Sequence, residues 1–285
     1  MTAVSLAAPA KINLTLEVLR RRDDGYHEVR SVMQTVELAD RVILTPADSL
    51  SLTLSGDAQA LAGEPPETNL AWRAAELLRD ARHVRAGAAI EIEKRIPVAA
   101  GLGGGSSDAA ATLRGLRELW ELDVSDDELR ALGAQAGSDV PFFIEGGAAL
   151  VSGRGEQVAP LPEPPAFGIV LAWPERAPAS EKTARMYAAL GAGRYGDGSR
   201  SEALAARLRA GEPVRDGDLE NVFEAVLGDV DAEAGEAFAR AGGLGFGRPH
   251  LCGAGPAFFI LRDPGPPVAA LESLGLRAID VESGA

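Results

Sequence analysis

The sequence predicts two α+β domains, and three observations lead to that fold class. The chain has 285 residues, which is enough for one large domain or two average ones. Strand-like and helix-like patterns are mixed in both halves, which favours α+β domains over one doubly wound sheet. Four prolines within 160–165 cannot continue a helix or a central strand and predict a linker. We therefore predict domains at 1–158 and 166–285.

The first domain begins with β-structure. Alternating or β-branched residues predict its early strands, over 4–19, 29–38, 41–45 and 50–54. Apolar residues at helical spacing predict a helix over 69–81, and Asn69 is a suitable N-cap. The remaining elements are predicted, in order, as a strand over 88–96, a helix from about 107 to 122, a helix opened by Ser125, and a strand over 142–151.

The second domain shows the same mixture. The predicted elements are a strand over 167–173, several helices between 182 and 240, a strand over 257–261, a helix over 268–274 and a strand over 277–281. A glycine-rich passage at 242–255 separates the helices from the last strands.

Composition argues against several classes of function. The net charge of -14 opposes duplex nucleic-acid binding, because such proteins need a basic face for phosphates. No apolar run approaches the roughly 20 residues of a membrane-spanning helix, and the N-terminus lacks the pattern of a signal peptide. The single cysteine, Cys252, and three scattered histidines argue against a disulfide framework and a zinc site. We expect a cytoplasmic protein whose partner is a small molecule.

Arginine supplies 25 of the 28 basic residues, and the three lysines are Lys11, Lys94 and Lys182. A coding bias toward arginine is the simplest explanation of this ratio. A lysine that remains against such a bias could mark a site that needs a compact ammonium group instead of a planar guanidinium.

A glycine-rich turn at 97–108 is the most informative stretch. It reads Pro-Val-Ala-Ala-Gly-Leu-Gly-Gly-Gly-Ser-Ser-Asp, with four glycines in five positions. Ordering so many glycines is costly, and the cost is explained where the backbone must approach a ligand closely. Exposed N–H groups that lead into a helix N-terminus form an anion cradle, to which Ser106 and Ser107 add hydroxyls for phosphate or Mg²⁺. A flexible tight turn is the alternative interpretation.

Neither of the best-known phosphate loops matches this turn. The Walker pattern requires lysine after its last glycine, but Ser106 follows Gly105. The dinucleotide fingerprint requires a glycine three residues after Gly103, and that position is again Ser106. The sequence therefore predicts a phosphate loop of another kind.

The stretch 97–107 resembles the nucleotide loop of the GHMP kinases, the superfamily of galactokinase, homoserine kinase, mevalonate kinase and phosphomevalonate kinase. Pro-Ala-Lys-Ile-Asn-Leu at 9–14 resembles its first motif, and Cys-Gly-Ala-Gly-Pro at 252–256 resembles its third. In the third motif, Ala254 lacks the usual hydroxyl and Pro256 removes a backbone donor. The resemblance implies a domain like the second domain of ribosomal protein S5, a ferredoxin-like C-terminal domain, and the use of ATP with Mg²⁺.

Three stretches narrow the expected substrate. They are Asp-Asp-Gly-Tyr-His-Glu-Val at 23–29, Gly-Ser-Asp-Val-Pro-Phe-Phe at 137–143, and Ala-Lys-Ile-Asn-Leu at 10–14. Together they resemble the members that phosphorylate the 2-hydroxyl of 4-diphosphocytidyl-2-C-methyl-D-erythritol in non-mevalonate isoprenoid synthesis. The alternatives are another GHMP kinase, acting on mevalonate, homoserine or a sugar, and a non-catalytic nucleotide-binding regulator on the same fold.

The resemblance implies a role for each matching residue. Asp139 matches the base that accepts the hydroxyl proton, and Lys11 matches the lysine that pairs with it. The positions expected to contact the cytidyl substrate are Asn13, Tyr26, His27, Tyr187, Gly253 and Gly255. The positions expected to contact the nucleotide are Asn69, Lys94, Pro97, Gly101, Leu102, Gly103, Gly104, Gly105, Ser106 and Ser107, with Ser107 a candidate Mg²⁺ ligand.

Three of these residues also have structural interpretations. Tyr187 could be a core aromatic residue on an amphipathic helix, His27 a structural histidine, and Asn69 simply a helix cap. Lys182 receives no role from the resemblance.

Overall fold

The computed structural model of the chain describes residues 3–176, 181–262 and 267–284. It contains two compact units, each assembled from separate parts of the chain. Unit 1 comprises Met1–Ala10, Leu38–Val98 and Gly103–Gly146, and unit 2 comprises Lys11–Glu37, Ala99–Leu102 and Gly147–Ala285. Compactness alone does not define domain boundaries, so the consecutive domains 1–158 and 166–285 stay a prediction.

Two long strands, β1 (Val4–Arg21) and β2 (His27–Ala47), contribute residues to both units. Within unit 1, β2 pairs antiparallel with β4 (Gly87–Lys94), and β3 (Ser51–Gly56) pairs parallel with β4. The helices of unit 1 are α1 (Leu70–Ala81), α2 (Gly104–Leu119), α3 (Asp126–Ala136) and α4 (Val140–Glu145).

Helix α2 packs closely on the strands of unit 1. A Cβ atom at Gly115 would lie 2.4 Å from a methyl carbon of Leu44 and 2.7 Å from one of Leu6. The alanine-rich face of α2 is buried, which allows this close approach and fixes the helix that follows the glycine-rich turn.

Local capping starts two of these helices as predicted. The Asn69 side chain accepts a hydrogen bond from the Ala71 N–H at 2.9 Å, and Ser125 and Glu128 form a capping box at α3. These contacts satisfy N–H groups that a helix N-terminus otherwise leaves unpaired.

Unit 2 contains a hairpin and a second sheet. Strand β5 (Ala148–Ser152) pairs antiparallel with β2 and with β6 (Gln157–Leu161). The strands of the second sheet are β7 (Gly168–Pro174), β9 (His250–Leu251), β10 (Phe258–Leu261) and β11 (Leu276–Glu282). This sheet is antiparallel, with the order β11-β7-β10-β9. A short strand, β8 (Glu220–Asn221), pairs parallel with β1.

The helices of unit 2 are α5 (Lys182–Leu190), α6 (Ser199–Arg209), α7 (Leu227–Val230), α8 (Ala232–Gly242) and α9 (Val268–Glu272). Glu17 of β1 is buried, and its carboxylate accepts N–H bonds from Gly198 at 3.1 Å and Ser201 at 2.9 Å. A carboxylate at a helix N-terminus is favourable, so this contact fixes α6 on β1.

Two predictions along the chain are partly wrong. The predicted strand over 142–151 begins as helix α4, with Pro141 in its first turn, and only Ala148–Ser152 is a strand. The residues of α4 are nearly all buried, and a short, wholly apolar run carries no period that separates strand from helix. The predicted linker is also partly strand: Pro160 lies in β6, opposite Ala149. Strand β6 pairs with β5 alone among the described strands, and such an edge tolerates proline.

The separate strands predicted over 29–38 and 41–45 are one strand, β2. The polar Asp40 interrupts the apolar pattern there without interrupting the strand. In the part of the chain that the structure describes, no helix has both the length and the apolarity that crossing a membrane requires.

Candidate active site

The first motif places two buried polar side chains next to each other on β1. The Lys11 Nζ donates a hydrogen bond to Asn13 Oδ1 at 2.6 Å, since residues two apart on a strand share one face. The Asn13 Nδ2 donates to Ser31 Oγ at 2.8 Å, and Ser31 Oγ donates to the Thr15 carbonyl at 2.5 Å. This chain of bonds turns the Asn13 oxygen toward the ammonium.

The third motif lies against the same two residues, Lys11 and Asn13. The Gly253 N–H donates to Asn13 Oδ1 at 2.9 Å, and Asn221 Nδ2 donates to the carbonyls of Leu251 and Gly253, both at 2.8 Å. Gly253 has φ +52, and a Cβ there would lie 3.3 Å from the Lys11 Nζ. Glycine at this position therefore leaves room for the ammonium group.

The beginning of the glycine-rich turn packs on both motifs. The Lys11 N–H donates to the Leu102 carbonyl at 2.9 Å, and the Ala257 N–H donates to the carbonyl just before Gly101 at 3.1 Å. Gly101 has φ +89, and a Cβ there would lie 2.0 Å from the Cys252 carbonyl oxygen. The three motifs predicted from the sequence thus meet in unit 2, and only glycine fits at 101.

Cys252 has no reactive role in this arrangement. Its side chain is fully buried, and burial raises the pKa of the thiol to about 12. The thiol is protonated at neutral pH and serves as a small packing group.

The end of the turn begins helix α2 in unit 1. Gly103 has φ +74 and precedes the helix, and its carbonyl accepts the Ser107 N–H at 2.9 Å. The Ser107 Oγ is buried and has no hydrogen-bond partner among the described residues. A buried hydroxyl without a partner is costly, and one that lies in the first turn of a helix is suited to a ligand oxygen or a cation.

The other nucleotide positions are spread around this turn. Pro97 is half-buried, Gly105 is exposed and Ser106 is half-buried. The N–H groups in the first turn of α2 have no acceptor within the helix, as at any helix N-terminus. A Cβ at Gly104 would lie 3.0 Å from Ile96 Cγ2, which shows how closely the helix start packs on the end of β4.

A buried ion triad lies beneath the turn. The Lys94 Nζ donates to Asp108 Oδ2 at 2.6 Å and also to Asp40, and all three side chains are buried. The other Asp40 oxygen accepts the N–H groups of Arg95 at 2.5 Å and Ile96 at 2.8 Å. The triad therefore joins the chain just before the turn to the first turns of α2.

Burial and charge set the protonation of this triad. Burial raises the pKa of Asp108 to about 7, although the Lys94 charge opposes the shift. Burial alone would lower the pKa of Lys94, but the charges of Asp108 and Asp40 outweigh it and raise that pKa. Lys94 is therefore an ammonium at neutral pH, held by two carboxyl groups, and its expected contact with adenine stays a prediction.

Three aromatic residues expected at the substrate lie in unit 2. Rings of His27 and Tyr187 stack with centroids 4.6 Å apart and an interplanar angle of 19°, and Phe223 meets Tyr187 edge-on at 4.9 Å. Tyr26 is exposed, with the Arg154 guanidinium 5.0 Å from its ring centre. Burial lowers the pKa of His27, as does the Arg21 charge, so both favour the neutral form of the ring.

The turn that carries Tyr26 is held locally. Asp24 Oδ1 accepts the Tyr26 N–H at 3.1 Å, and Gly25 between them has φ +87. Asp139, the predicted base, is half-buried and directly precedes α4 in unit 1. Its pairing with Lys11, which belongs to unit 2, stays a prediction.

Comparison with known proteins agrees with these motifs. Residues 69–147 match the family described as "GHMP kinases N terminal domain". A 4-diphosphocytidyl-2-C-methyl-D-erythritol kinase of Shouchella clausii (strain KSM-K16) is 43% identical over 259 residues, which cover 90% of this chain and 84% of that protein. The chain belongs to the 4-diphosphocytidyl-2-C-methyl-D-erythritol kinase family.

Solved structures confirm the predicted GHMP kinase fold. A crystal structure of 4-(cytidine 5'-diphospho)-2C-methyl-D-erythritol kinase is 36% identical with a TM-score of 0.78, covering 99% of this chain and 100% of that one. Homoserine kinase from Cytophaga hutchinsonii has a TM-score of 0.75 at 15% identity, covering 100% of this chain and 95% of that one. The second likeness concerns the fold alone.

For this member of the 4-diphosphocytidyl-2-C-methyl-D-erythritol kinase family, sequence reasoning missed three residues that support the site. Asp40 and Asp108 hold Lys94, and Asn221 holds the third motif. The signal for Asp40 was an acidic residue inside an apolar strand pattern, and Asp108 directly follows the predicted cradle. The stretch 221–224 resembles a C-terminal segment of the family, but the sequence indicated no role for Asn221. Among the described residues, no three His, Cys, Asp or Glu side chains cluster as metal ligands.

Proposed function

We propose that the protein transfers the γ-phosphoryl group of ATP to the 2-hydroxyl of 4-diphosphocytidyl-2-C-methyl-D-erythritol. The observation that carries the proposal is the meeting of three motifs at Lys11, where Asn13 and Gly253 surround its ammonium. Membership of the family and the His27–Tyr187 stack support the cytidyl substrate.

The chemistry requires positioning and charge more than a strong base. The oxygen at C2 forms a bond to the γ-phosphorus, the bond from that phosphorus to the bridging oxygen of ADP breaks, and Asp139 takes the hydroxyl proton. The transition state is loose, so a fixed cation beside the reacting oxygens contributes most by stabilising developing charge. Lys11 supplies that cation, and its hydrogen bond to Asn13 fixes the position of the ammonium.

The nucleotide phosphates would bind at the start of α2. The N–H groups of Gly105 and Ser106, which have no acceptor within the helix, provide donors, and the unpartnered Ser107 Oγ fits a role as a ligand of Mg²⁺. With few protein ligands available, the ion would be held mainly by phosphate oxygens, which is usual for Mg²⁺. When bound, Mg²⁺ neutralises phosphate charge. Asn69 and Lys94 are proposed near the adenine.

The cytidine end would bind at Tyr26, His27 and Tyr187. A neutral His27 ring can both donate and accept hydrogen bonds, which suits a cytosine edge. We expect Tyr187→Ala to raise the KM for the cytidyl substrate about tenfold or more, the loss of one stacked ring being worth roughly 1–3 kcal/mol. A kinase for another alcohol would show almost no change in KM with the same substitution.

A parallel assay tests the proposed function. ATP consumption is measured with 4-diphosphocytidyl-2-C-methyl-D-erythritol, mevalonate, homoserine and galactose under identical conditions. We expect turnover with the cytidyl compound alone. Turnover with one of the other acceptors would identify that compound as the substrate. The absence of transfer from labelled ATP in a single turnover would indicate a nucleotide-binding regulator.

A further inference from the structure

Lys182, the first residue of α5, has a buried ammonium group without a hydrogen-bond partner among the described residues. The residue is only 6% exposed. Burial lowers the pKa of Lys182 to about 8, the charge of Asp231 opposes this shift, and the charge of Arg176 adds to it. At neutral pH the group is still mostly a cation, and an unpaired buried cation is costly.

Other donors occupy only one oxygen of Asp231, the acidic group near Lys182; the second oxygen, Oδ2, is buried and has no hydrogen-bond partner among the described residues. Asp231 Oδ1 accepts the Ala234 N–H at 3.1 Å, where it caps α8, and it also binds the Arg176 guanidinium. The Arg176 Nε lies 2.9 Å from the Glu233 carboxylate. In the described part of the chain, Lys182 itself forms no ion pair, so its charge is available to an anion from outside the protein.

The third motif passes beside both Lys11 and Lys182. A Cβ at Gly253 would lie 3.3 Å from the Lys11 Nζ, and a Cβ at Gly255 would lie 3.0 Å from the Lys182 Nζ. Alpha carbons two residues apart are separated by at most about 7 Å. The two ammonium groups therefore border one glycine turn.

Helix α5 links Lys182 to the aromatic stack as well. Tyr187 lies five residues farther along α5, a rise of about 7.5 Å, and stacks on His27. Lys182 and Lys11, the proposed position of the phosphoryl acceptor, therefore border the same glycine turn. Lys182 is also about one and a half helical turns from Tyr187, the proposed position of the cytosine.

We propose that Lys182 binds the diphosphate of the cytidyl substrate, an inference that rests on the proposed function. In that substrate the diphosphate joins the cytidine to the polyol. With cytosine at Tyr187 and the acceptor hydroxyl at Lys11, the diphosphate reaches the turn that Lys182 borders. Binding supplies the missing partner of the ammonium, and the residue selects substrates that carry this dianionic group over simple alcohols.

Binding of two cytidine compounds measures this role directly. Cytidine 5′-diphosphate and cytidine are titrated by calorimetry into the parent and into Lys182→Met. A charge-assisted bond is worth about 1.5–3 kcal/mol, so the parent binds the diphosphate roughly tenfold to a hundredfold tighter than cytidine. In Lys182→Met this preference falls by about tenfold or more, whereas cytidine binding is unchanged. Lys182→Gln has the same expected result.

The matched control is Arg185→Met, which removes an exposed cation from the same helix. It keeps the preference for the diphosphate. In steady-state assays Lys182→Met raises the KM for the cytidyl substrate, while the KM for ATP stays at the parent value. Its melting temperature does not fall, because an uncompensated buried charge has been removed.

Two outcomes overturn the inference without affecting the proposed function. One is turnover of the cytidyl substrate by the parent together with an undiminished diphosphate preference in Lys182→Met. The other is a lowered melting temperature with unchanged binding, which would show that Lys182 pairs with Asp231. If the parent binds neither cytidine compound and does not turn over the cytidyl substrate, the proposed function itself is contradicted, and the inference about Lys182 is contradicted with it.

Discussion

Replacement of Lys94 by methionine tests whether the buried triad holds the phosphate loop. The substitution removes the ammonium but keeps a side chain of similar length, and leaves Asp40 and Asp108 buried side by side. Asp40 also accepts the N–H groups of Arg95 and Ile96, so disturbance there reaches the start of the glycine-rich turn. We expect a loss of stability and a higher KM for ATP together.

The magnitude follows from the burial of the group. Removing one partner of a buried ion pair costs about 3–5 kcal/mol, since a charge is left without compensation. For a chain of this size, that corresponds to a fall in melting temperature of roughly 10 °C. The Lys94 charge lowers the pKa of Asp108, so without it that carboxyl group retains its proton more strongly in the native variant than in the native parent. The stability difference therefore grows as pH rises from 6 to 8.

Urea unfolding at pH 6 and pH 8 measures these free energies, and ATP titration measures the effect on the loop. The matched control is Arg79→Met, which removes a partly exposed cation from the same unit and whose ion pair with Asp80 is worth about 0–1 kcal/mol. The reasoning is refuted if Lys94→Met unfolds within about 1 kcal/mol of the parent at pH 8. A raised KM for ATP with unchanged stability would instead support the predicted contact with adenine.

Four further substitutions test the site. Asp139→Asn should lower kcat by about a hundredfold or more at unchanged ATP affinity, and activity within about tenfold of the parent, roughly 1.4 kcal/mol, would contradict its role as the base. Lys11→Arg should lose most turnover despite keeping its charge, as measured by kcat, because the buried site accommodates an ammonium and not a planar guanidinium. Gly101→Ala should lower both the melting temperature and ATP affinity, because its Cβ would lie 2.0 Å from the Cys252 carbonyl oxygen. The native pKa of Asp108, about 7, exceeds its usual 3.8, so parent stability falls as pH rises from about 4 to 7; Asp108→Asn should flatten that slope in urea unfolding.

Local signals in the sequence predicted the elements that local contacts determine. Asn69 and Ser125 were recognised as caps, and both caps form through neighbouring residues. The strand predicted over 142–151 was partly wrong, because the buried apolar run in α4 takes its conformation from the surrounding core. The edge position that tolerates Pro160 is likewise a property of the sheet, which the local sequence does not reveal.

The residues of the site also fall into two groups, those that the sequence predicted and those that it did not. The glycine pattern at 97–108 predicted the phosphate loop, and the resemblance to the GHMP kinases predicted the first and third motifs. Close backbone approach requires glycine at Gly101 and Gly253. The triad was not predicted, because Asp40 and Lys94 lie 54 residues apart and neither position carries a local pattern that names its partner. Tertiary contacts between distant polar residues stabilise the site, and one sequence alone does not encode them visibly.

The ratio of arginine to lysine acquires a physical meaning once burial is known. Coding bias accounts for 25 arginines, but it does not account for the burial of all three lysines, which are 3%, 4% and 6% exposed. A guanidinium carries five N–H donors in a rigid fork, and a buried site must satisfy them or leave donors unpaired. Lys11 donates to the Asn13 amide oxygen, and Lys94 donates to two carboxyl groups. Such sites favour lysine over arginine, so in this chain the three remaining lysines mark buried cation sites.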